Sequence, residues 1–402
     1  MRKLKITNDH KIINNHYPDS KKEFSKIIND LYKNKQKMII LGGATKKQYR
    51  NSYSPVHTVF TSELNKVIDY NPSDLTVTVE SGIKVESLMN LLSENNQYLG
   101  YILPNKKISS IGGSTAYGYS GNYRFNDIHI RDSIIGIEAI NYNGDFMKSG
   151  GQVVKNVSGY DLHKLYIGTH GTFGPIYSIS FKVYPKPNYE KQVIVDFENY
   201  EDVLKVIKKY LPLNWNIPRL SIYSSNRSKI KLYKLFCNIS GTKNVVNYIK
   251  KSITKDIKLN NGKLEEINNN INMSVNLDDF GYNLKDEQLS IRILSSKNSD
   301  FHHIINYFKN CKLNFQLLVT PSIGSISILI ENNDSILSYI DEIAEISQLN
   351  NYRIIIDYVN LSLRNKLRNK FKNNDNQPIK NLTALLKKNY DPQNLFSSGK
   401  FI

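Results

Sequence analysis

Three glycine-rich segments are the part of this sequence best suited to hold a large ligand against the backbone. Residues 42–45 (Gly-Gly-Ala-Thr, the first glycine segment) follow a short apolar run, residues 109–118 (the second) are rich in Gly, Ser and Thr, and residues 168–174 (the third) carry a glycine at every third position. Consecutive N–H groups in such turns can form a concave anion site, and residues this small let a ligand come close. One Gly-Gly pair alone is more often only a turn. Three such segments in one chain predict a binding site.

The third glycine segment follows a stretch with helical spacing. Leu162, Leu165 and Tyr166 lie at i, i+3 and i+4, the spacing of one helix face, whereas His163 falls elsewhere. The sequence therefore predicts a helix over residues 161–166 that leads directly into the glycines.

Helices and strands alternate around the glycine segments, an order typical of mixed α and β domains. Helices are predicted at residues 20–37 and 85–95, and strands at residues 38–41, 75–80 and 134–140, the last followed by a hairpin turn at Asn143-Gly144. Pro185-Lys186-Pro187 indicates a domain boundary, because two prolines end a strand ladder and stiffen the exit. Beyond it, helices are predicted at residues 203–210 and 245–253, and strands at residues 219–223, 232–239, 289–294, 326–330 and 353–357.

Composition limits the function classes. The chain has 402 residues and a net charge of +18, but its basic residues are spread through Lys- and Asn-rich text without an arginine cluster or zinc-finger spacing, which argues against nucleic-acid binding. It has two cysteines, too few for the four thiolates that an iron–sulfur cluster usually takes, and no metal site is expected. No apolar run reaches the ~18 residues of a membrane span, and the N-terminus lacks the features of a secretory signal. These features predict a cytoplasmic protein.

The run from Gly150 to Pro187, GGQVVKNVSGYDLHKLYIGTHGTFGPIYSISFKVYPKP, carries a family resemblance. Together with the two earlier glycine segments, it resembles the FAD-binding domain of the vanillyl-alcohol oxidase and p-cresol methylhydroxylase (PCMH-type) superfamily, and within it the smaller flavin-domain subunit of bacterial glycolate oxidase (glycolate dehydrogenase). The resemblance is densest over residues 69–187 and returns at residues 391–401. It implies an α+β fold with a two-subdomain FAD-binding domain at residues 1–187, an α+β cap or substrate domain at residues 188–375, and a C-terminal segment at residues 376–402 that packs back on the FAD domain.

The resemblance also implies which residues contact FAD. The second glycine segment is expected to wrap the diphosphate through its backbone N–H groups, and the third to lie along the cofactor. Carried over position by position, the cofactor-binding residues are Gly42, Gly43, Ala44, Thr45, Pro104, Ile111, Gly112, Gly113, Ser114, Thr115, Gly168, Thr169, Gly171, Thr172, Gly174 and Ile176.

Two departures from the family pattern carry consequences. Covalent members often attach the flavin through a His or Cys in the first glycine segment, which has neither here, so FAD is expected to be non-covalent. Relatives typically place an Asn-Pro pair near the C-terminus, with the Asn close to the isoalloxazine ring. This chain has Ser397-Ser398 instead, and the serine hydroxyl is the candidate to keep that contact.

Oxidation of a 2-hydroxy acid by flavin requires a cation for the carboxylate and a base for the hydroxyl proton. Arg292 lies in an otherwise apolar strand and is the candidate cation, although an edge-strand arginine with its head in water fits the sequence equally well. The adjacent His302 and His303 point apart on a helix, and His170, inside the predicted flavin-facing strand, is expected to pack. The catalytic base is therefore left unassigned.

Three functions fit these observations. The first is the FAD-dependent, flavin-binding subunit of a glycolate or D-lactate dehydrogenase complex that passes electrons to partners, a larger flavoprotein subunit and an iron–sulfur subunit, with membrane association only through those partners. The second is a self-sufficient FAD-linked oxidase or dehydrogenase of another hydroxylated substrate, such as a sugar or sugar acid. The third is a non-catalytic FAD-binding scaffold.

Overall fold

In a computed structural model of the chain, the described residues form two compact units. They are residues 12–45, 55–124, 128–151, 161–212, 217–226, 232–265, 276–282, 284, 288–296, 301–331, 336–359, 363, 367 and 377–397. Unit 1 takes the described residues of Met1–Ser120, His129–Lys186 and Leu367–Ile402, and unit 2 takes those of Gly121–Ile128 and Pro187–Lys366. Both units combine helices with sheets, so the predicted α+β fold is confirmed.

The described helices are α1 (Lys21–Lys33), α2 (Val85–Glu94), α3 (Ile111–Tyr117), α4 (Ile130–Ser133), α5 (Tyr200–Tyr210), α6 (Lys243–Leu259), α7 (His302–Asn310), α8 (Ile336–Leu349) and α9 (Gln377–Tyr390), with 3-10 turns at Leu162–Leu165 and Pro321–Ile323. The described strands are β1 (Ile12–His16), β2 (Met38–Leu41), β3 (Val56–Phe60), β4 (Val67–Asn71), β5 (Thr76–Glu80), β6 (Gln97–Tyr98), β7 (Ile134–Ile140), β8 (Phe146–Gly150), β9 (Ile176–Lys182), β10 (Tyr184–Pro185), β11 (Tyr189–Phe197), β12 (Arg219–Ser225), β13 (Tyr233–Gly241), β14 (Lys263–Leu264), β15 (Gln288–Leu294), β16 (Phe315–Thr320), β17 (Ser325–Glu331) and β18 (Arg353–Tyr358). No described helix has both the length and the apolar character that a bilayer crossing requires.

Unit 1 contains two sheets that carry the glycine segments. A parallel sheet of order β1-β3-β2 ends at the first glycine segment, and an antiparallel sheet of order β4-β5-β9-β7-β8 follows the third through β9. Helix α1 packs its apolar face, including Phe24, Ile28 and Leu31, against Met38 and Phe396. The C-terminal segment is thereby built into the core beside the strand that leads to the first glycine segment.

Unit 2 is organised around an antiparallel sheet of eight described strands in the order β14-β11-β13-β12-β16-β17-β15-β18. Alternation along these strands gives one face an apolar layer, since Ile291, Ile293, Ile326 and Ile328 are all buried there. Helices α5 and α6 pack on β11 and β13, and α8 packs on β18.

Most predicted elements are present with small shifts at their ends. The helix predicted at residues 20–37 is α1, whose N-cap Ser20 accepts a hydrogen bond from the Glu23 amide, and the strand predicted at residues 134–140 is β7. The strands β11 and β16 and the helices α8 and α9 were not predicted.

Three local predictions around the glycine segments are wrong. The second segment, predicted as a loop, contains α3, which Ser110 caps through the Gly113 amide and which ends where Gly118 takes a left-handed φ of 75°. The third segment is a series of turns and not a strand, because His170 and several of its glycines have positive φ. The helix predicted at residues 161–166 is only the 3-10 turn Leu162–Leu165. It leaves Leu162 47% exposed and buries His163, opposite to the prediction for these two residues, whereas Tyr166 is buried as predicted. The family-like run at residues 152–160 lies outside the described residues.

Candidate cofactor site

A pocket in unit 1 brings together the first and second glycine segments, part of the third, and the C-terminal segment. Its cavity volume is about 70 Å³, and it opens to solvent. Its lining is formed by Ile39, Ile40, Leu41, Gly42, Gly43, Ala44, Thr45, Ser109, Ser110, Gly113, Ser114, Ala116, Tyr117, His170 and Ser397. The segments that the sequence singled out separately therefore meet at one place.

The first glycine segment is packed tightly against the second. A Cβ on Gly42 would overlap the Ser110 hydroxyl, and one on Gly43 would overlap the Ile108 carbonyl oxygen. The Thr45 and Ser109 hydroxyls lie 3.3 Å apart, within hydrogen-bonding distance. Glycine is required at positions 42 and 43 first of all because two stretches of protein backbone approach each other.

The first glycine segment also presents backbone donors to the pocket. Ala44 has a left-handed φ of 52°, a conformation found in backbone anion sites. No described residue accepts a hydrogen bond from the amides of Gly43, Ala44 or Thr45. These amides and the concave backbone suit a phosphate group.

The second glycine segment uses its first amides inside the protein. Ile111 N donates to Ile83 O at 2.9 Å, Gly112 N donates to Ser81 O at 2.7 Å, and Gly113 N donates to the Ser110 hydroxyl at 3.1 Å. These three donors are occupied within the chain, which weakens the expectation that this segment wraps a diphosphate through its backbone. Its contribution to the pocket is the Ser114 hydroxyl, which is buried and has no hydrogen-bond partner among the described residues.

Lys84 fixes the entry to the second glycine segment. Its Nζ donates to Ile108 O at 3.0 Å, and its backbone pairs with that of Ser110. Burial lowers the pKa of Lys84. The side chain therefore holds the carbonyl that also approaches Gly43.

The third glycine segment divides into two groups of residues. Gly168 and Gly171 have φ of 82° and 78°. A Cβ on Gly168 would meet no described atom within 4 Å, and one on Gly171 would lie 3.6 Å from the Ser397 hydroxyl. By contrast, the Thr169 hydroxyl donates to Tyr166 O, just before the segment, and the Thr172 hydroxyl donates to Thr169 O within it.

The remaining predicted contacts lie in the protein interior. A Cβ on Gly174 would overlap Ile140 O, Ile176 is buried at the start of β9, and Thr115 is buried in α3. Pro104 accepts a hydrogen bond from the Ser109 hydroxyl through its carbonyl. Contact between these residues and FAD stays a prediction.

Ser397 lies in the pocket. Its amide donates to Met38 O at 2.9 Å, and the Met38 amide donates to Leu395 O at 2.9 Å, so the C-terminal segment runs beside β2. The Ser397 hydroxyl is buried and has no described hydrogen-bond partner. The serine found where relatives have asparagine is therefore available to a ligand.

The predicted candidates for substrate chemistry lie in unit 2. Arg292, on β15, is buried and forms an ion pair with Asp357 on β18, with 3.0 Å between guanidinium nitrogen and carboxylate oxygen. His302 begins α7, with its Nδ1 3.2 Å from a Glu201 carboxylate oxygen. The His302 and His303 rings lie nearly perpendicular, at 86°. Arg292 is thus not an edge-strand arginine with its head in water, and its contact with substrate stays a prediction.

Sequence reasoning missed part of the pocket wall. Ala116 and Tyr117 line it from α3, and the Tyr117 ring stands edge-on to His170 with centroids 5.6 Å apart. Gly113 and Tyr117 are four residues apart and share a helix face, so a helical interpretation of the segment would have found Tyr117. His170 packs as predicted, although it also reaches the lining.

The chain resembles known flavoproteins in sequence. Residues 16–150 match the FAD binding domain family. The chain is 28% identical over 144 residues to glycolate oxidase subunit GlcD of Bacillus subtilis, covering 36% of this chain and 31% of that protein. It is 33% identical over 122 residues to glycolate oxidase subunit GlcE of Escherichia coli, covering 30% and 35%. The chain thus matches about a third of the length of these relatives.

A solved structure extends the similarity to the fold. p-Cresol methylhydroxylase with substrate bound superposes with a TM-score of 0.72 at 15% identity, over 96% of this chain and 88% of that one. The amides of residues 43–45, the hydroxyls of Ser114 and Ser397 and the open space at Gly168 fit a cofactor with phosphate and ring portions. Residues 16–150 therefore match an FAD-binding domain, and the chain shares the fold of p-cresol methylhydroxylase.

Proposed function

We propose that this chain is the flavin-binding subunit of an FAD-linked oxidoreductase that oxidises a 2-hydroxy acid such as glycolate or D-lactate. The pocket is the observation that carries the proposal, because it joins backbone donors from residues 43–45 to the hydroxyls of Ser114 and Ser397. The substrate class is supported by the relatives, which are named as glycolate oxidase subunits.

Different residues of the chain bind different parts of the cofactor. The amides of the first glycine segment bind the diphosphate, whose charge suits several N–H donors in a concave backbone. Ser114 donates a hydrogen bond from α3, and Ser397 donates one from the C-terminal segment. When bound, FAD supplies the acceptor for the hydride that leaves the carbinol carbon of the substrate.

On the substrate side, Arg292 is the proposed cation for the carboxylate. Its pairing with Asp357 orients the guanidinium but neutralises part of its charge. A substrate carboxylate must therefore use the guanidinium nitrogens that face away from Asp357, or displace that carboxylate. Arg292→Lys should raise the KM for a hydroxy acid more than it lowers kcat, because an ammonium loses the fork geometry but keeps the charge.

FAD is held without a covalent bond in this proposal. The first glycine segment has no His or Cys, and His170 is the only residue of either type in the described lining. Precipitation of the flavin-loaded protein with acid should leave the yellow colour in the supernatant. Colour retained in the pellet would contradict this part of the proposal.

The electrons leave through partners. The two cysteines of this sequence, Cys237 and Cys311, are both buried, and burial raises the pKa of the Cys237 thiol to about 12. Neither is suited to carry an iron–sulfur cluster, so we assign that relay to a separate iron–sulfur subunit, beside a larger flavoprotein subunit. The assembly is expected in the cytoplasm.

The deciding experiment is the visible absorbance of the FAD-loaded chain before and after anaerobic addition of glycolate or D-lactate. Bleaching by either acid supports oxidation by this chain itself. A band that bleaches only after partner subunits are added supports a subunit that depends on its complex. A band that resists both acids with partners present, but bleaches with a sugar or sugar acid, would overturn the proposed substrate class.

A further inference from the structure

A buried lysine connects the third glycine segment to the C-terminal segment. Lys387, on α9, donates from Nζ to Thr172 O at 2.8 Å, to Phe396 O at 2.8 Å and to Asp391 Oδ2 at 2.5 Å. An ammonium group has three hydrogens, and here each has an acceptor. The lysine side chain is only 12% exposed, so solvent contributes little to holding it in place.

The acceptor Asp391 is itself fully engaged. Its side chain has no exposed surface. One carboxylate oxygen accepts from the Tyr32 hydroxyl and the Leu395 amide, both at 3.0 Å, and the other accepts from the Phe396 amide at 2.8 Å. Four donors, including Lys387, therefore surround one carboxylate, and the pair joins α1, α9 and residues 395–396.

The two backbone carbonyls that Lys387 holds belong to opposite walls of the pocket region. Thr172 follows Gly171, and Phe396 precedes Ser397. A Cβ on Gly171 would lie 3.6 Å from the Ser397 hydroxyl, so the two walls approach each other at this point. The Lys387 ammonium spans this approach one residue away on each side, and the stacked rings of Phe173 and Tyr390 add a contact between the third glycine segment and α9.

We propose that Lys387, held by Asp391, is a positioning residue that sets the separation between Gly171 and Ser397 and so shapes the site for FAD. Hydrogen bonds between a charged donor and backbone carbonyls are stronger and more directional than packing alone. Because one carboxylate and two carbonyls fix this buried charge, α9, the third glycine segment and residues 395–397 have few alternative positions. The inference rests on FAD binding by this domain and not on the identity of the hydroxy acid.

The test compares Lys387→Met with Lys388→Met. Methionine keeps much of the apolar stem and removes the ammonium, and Lys388 is an exposed lysine on the same helix. We expect Lys387→Met to weaken FAD binding at least about tenfold in a titration of the flavin-free chain and to change the visible circular dichroism of the flavin at saturation. Lys388→Met should leave both unchanged. A Lys387→Met protein with wild-type affinity and wild-type flavin dichroism would overturn the proposal.

Amide hydrogen exchange on the flavin-free chain separates positioning from general stabilisation. We expect faster exchange in Lys387→Met at residues 168–174 and 395–397, with little change in the parallel sheet of unit 1. Uniformly faster exchange would mean that the ion pair only stabilises the fold. If Lys387→Met does not fold, Lys387→Arg keeps the charge but cannot aim a planar guanidinium at the same three acceptors. That variant should fold and bind FAD more weakly, and wild-type affinity in it would equally reject the proposal.

Discussion

In the first glycine segment the glycines are fixed by protein atoms, whereas in the third Gly168 borders space that no described atom fills and Gly171 lies at ordinary contact distance from Ser397 and Ile40. A Cβ on Gly42 or Gly43 would overlap the second glycine segment. A Cβ on Gly168 would meet nothing described within 4 Å, although its φ of 82° is one that residues with a side chain rarely adopt. The same residue type thus serves close packing in one segment and backbone conformation in the other.

This difference separates two ways in which a glycine can support a cofactor. A glycine required by packing acts before any ligand arrives, and its loss damages the fold around the pocket. A glycine required for its φ beside open space acts mainly on the ligand, because its replacement narrows that space. Substitutions in the two segments should therefore separate fold stability from FAD binding.

The largest effect is expected for Gly43→Ala. The added methyl group must displace the Ile108 carbonyl, and forced overpacking of this kind lowers the free energy of unfolding by about 1–3 kcal/mol. FAD binding should fall with it, since residues 43–45 supply the amide donors. Urea denaturation of the flavin-free chain measures the first effect and FAD titration the second.

The matched control for Gly43→Ala is Gly151→Ala. Gly151 belongs to the same unit, and a Cβ there would meet no described atom within 4 Å. Equal stability of the two variants would contradict the packing role of Gly43.

Gly171→Val should separate fold stability from FAD binding. Its φ of 78° costs a branched residue about 1–3 kcal/mol, and the side chain grows toward Ser397 and Ile40. We expect a folded protein that purifies without FAD, measured by the ratio of visible to ultraviolet absorbance. Gly171→Ala carries the same backbone strain with less bulk and should keep part of the affinity. A fully yellow Gly171→Val protein would remove the third segment from the flavin site.

Sequence reasoning recovered the elements whose patterns are local. Strands such as β7 and β17 are dense in β-branched residues, and α1 and α2 present regular apolar faces, so their positions followed from periodicity. Helix α3 was missed because Ile-Gly-Gly-Ser-Thr has poor helix propensity and depends on the Ser110 cap and on contacts with residues 81–83. Helix α9 was missed because Leu382 and Leu385 are exposed and its apolar pattern is weak.

Within the candidate site, the sequence located the glycines but not what each one contacts. A Cβ on Gly42 would overlap Ser110 because two segments some 70 residues apart in the chain pack together, and no local sequence pattern predicts that packing. Lys387 and Asp391 are spaced i, i+4, an ordinary helix ion pair by sequence. Only their burial and the carbonyls of Thr172 and Phe396 distinguish this pair from a surface one. For Arg292, the sequence predicted the apolar strand but not the ion pair with Asp357.

Ser397→Ala should have a smaller effect than either glycine substitution. The hydroxyl has no described hydrogen-bond partner, so its removal should leave the stability of the flavin-free chain unchanged or slightly raised. If it donates to the flavin, affinity should fall about 2- to 10-fold, the range of one net hydrogen bond. Thermal unfolding with and without FAD measures both quantities. Unchanged affinity would exclude the serine as a substitute for the family's asparagine.

The smallest expected effect is a dependence of the unfolding free energy on pH, through two histidines near the first and third glycine segments. His57 lies on β3, beside β2, and His163 lies just before the third segment; both are buried. Burial lowers the pKa of each below the usual 6.5. His16, hydrogen-bonded to His57 at 2.9 Å, lowers the pKa of His57 further. Below about pH 6.5 the unfolded chain therefore binds protons that the folded chain does not, so stability is fully present above that pH and declines as the pH falls.

Substituting each histidine in turn shows which of the two causes the loss of stability at low pH. His57→Gln and His163→Gln should each flatten the fall in unfolding free energy between pH 7.5 and pH 5.5, measured by urea titration at about five pH values. The His57 variant should protect exchange in β2 and β3 at low pH, and the His163 variant should protect residues 161–166. A slope unchanged in both variants would mean that other groups carry the acid sensitivity. A slope changed only by His57→Gln would contradict the prediction for His163 and assign the acid sensitivity to β3.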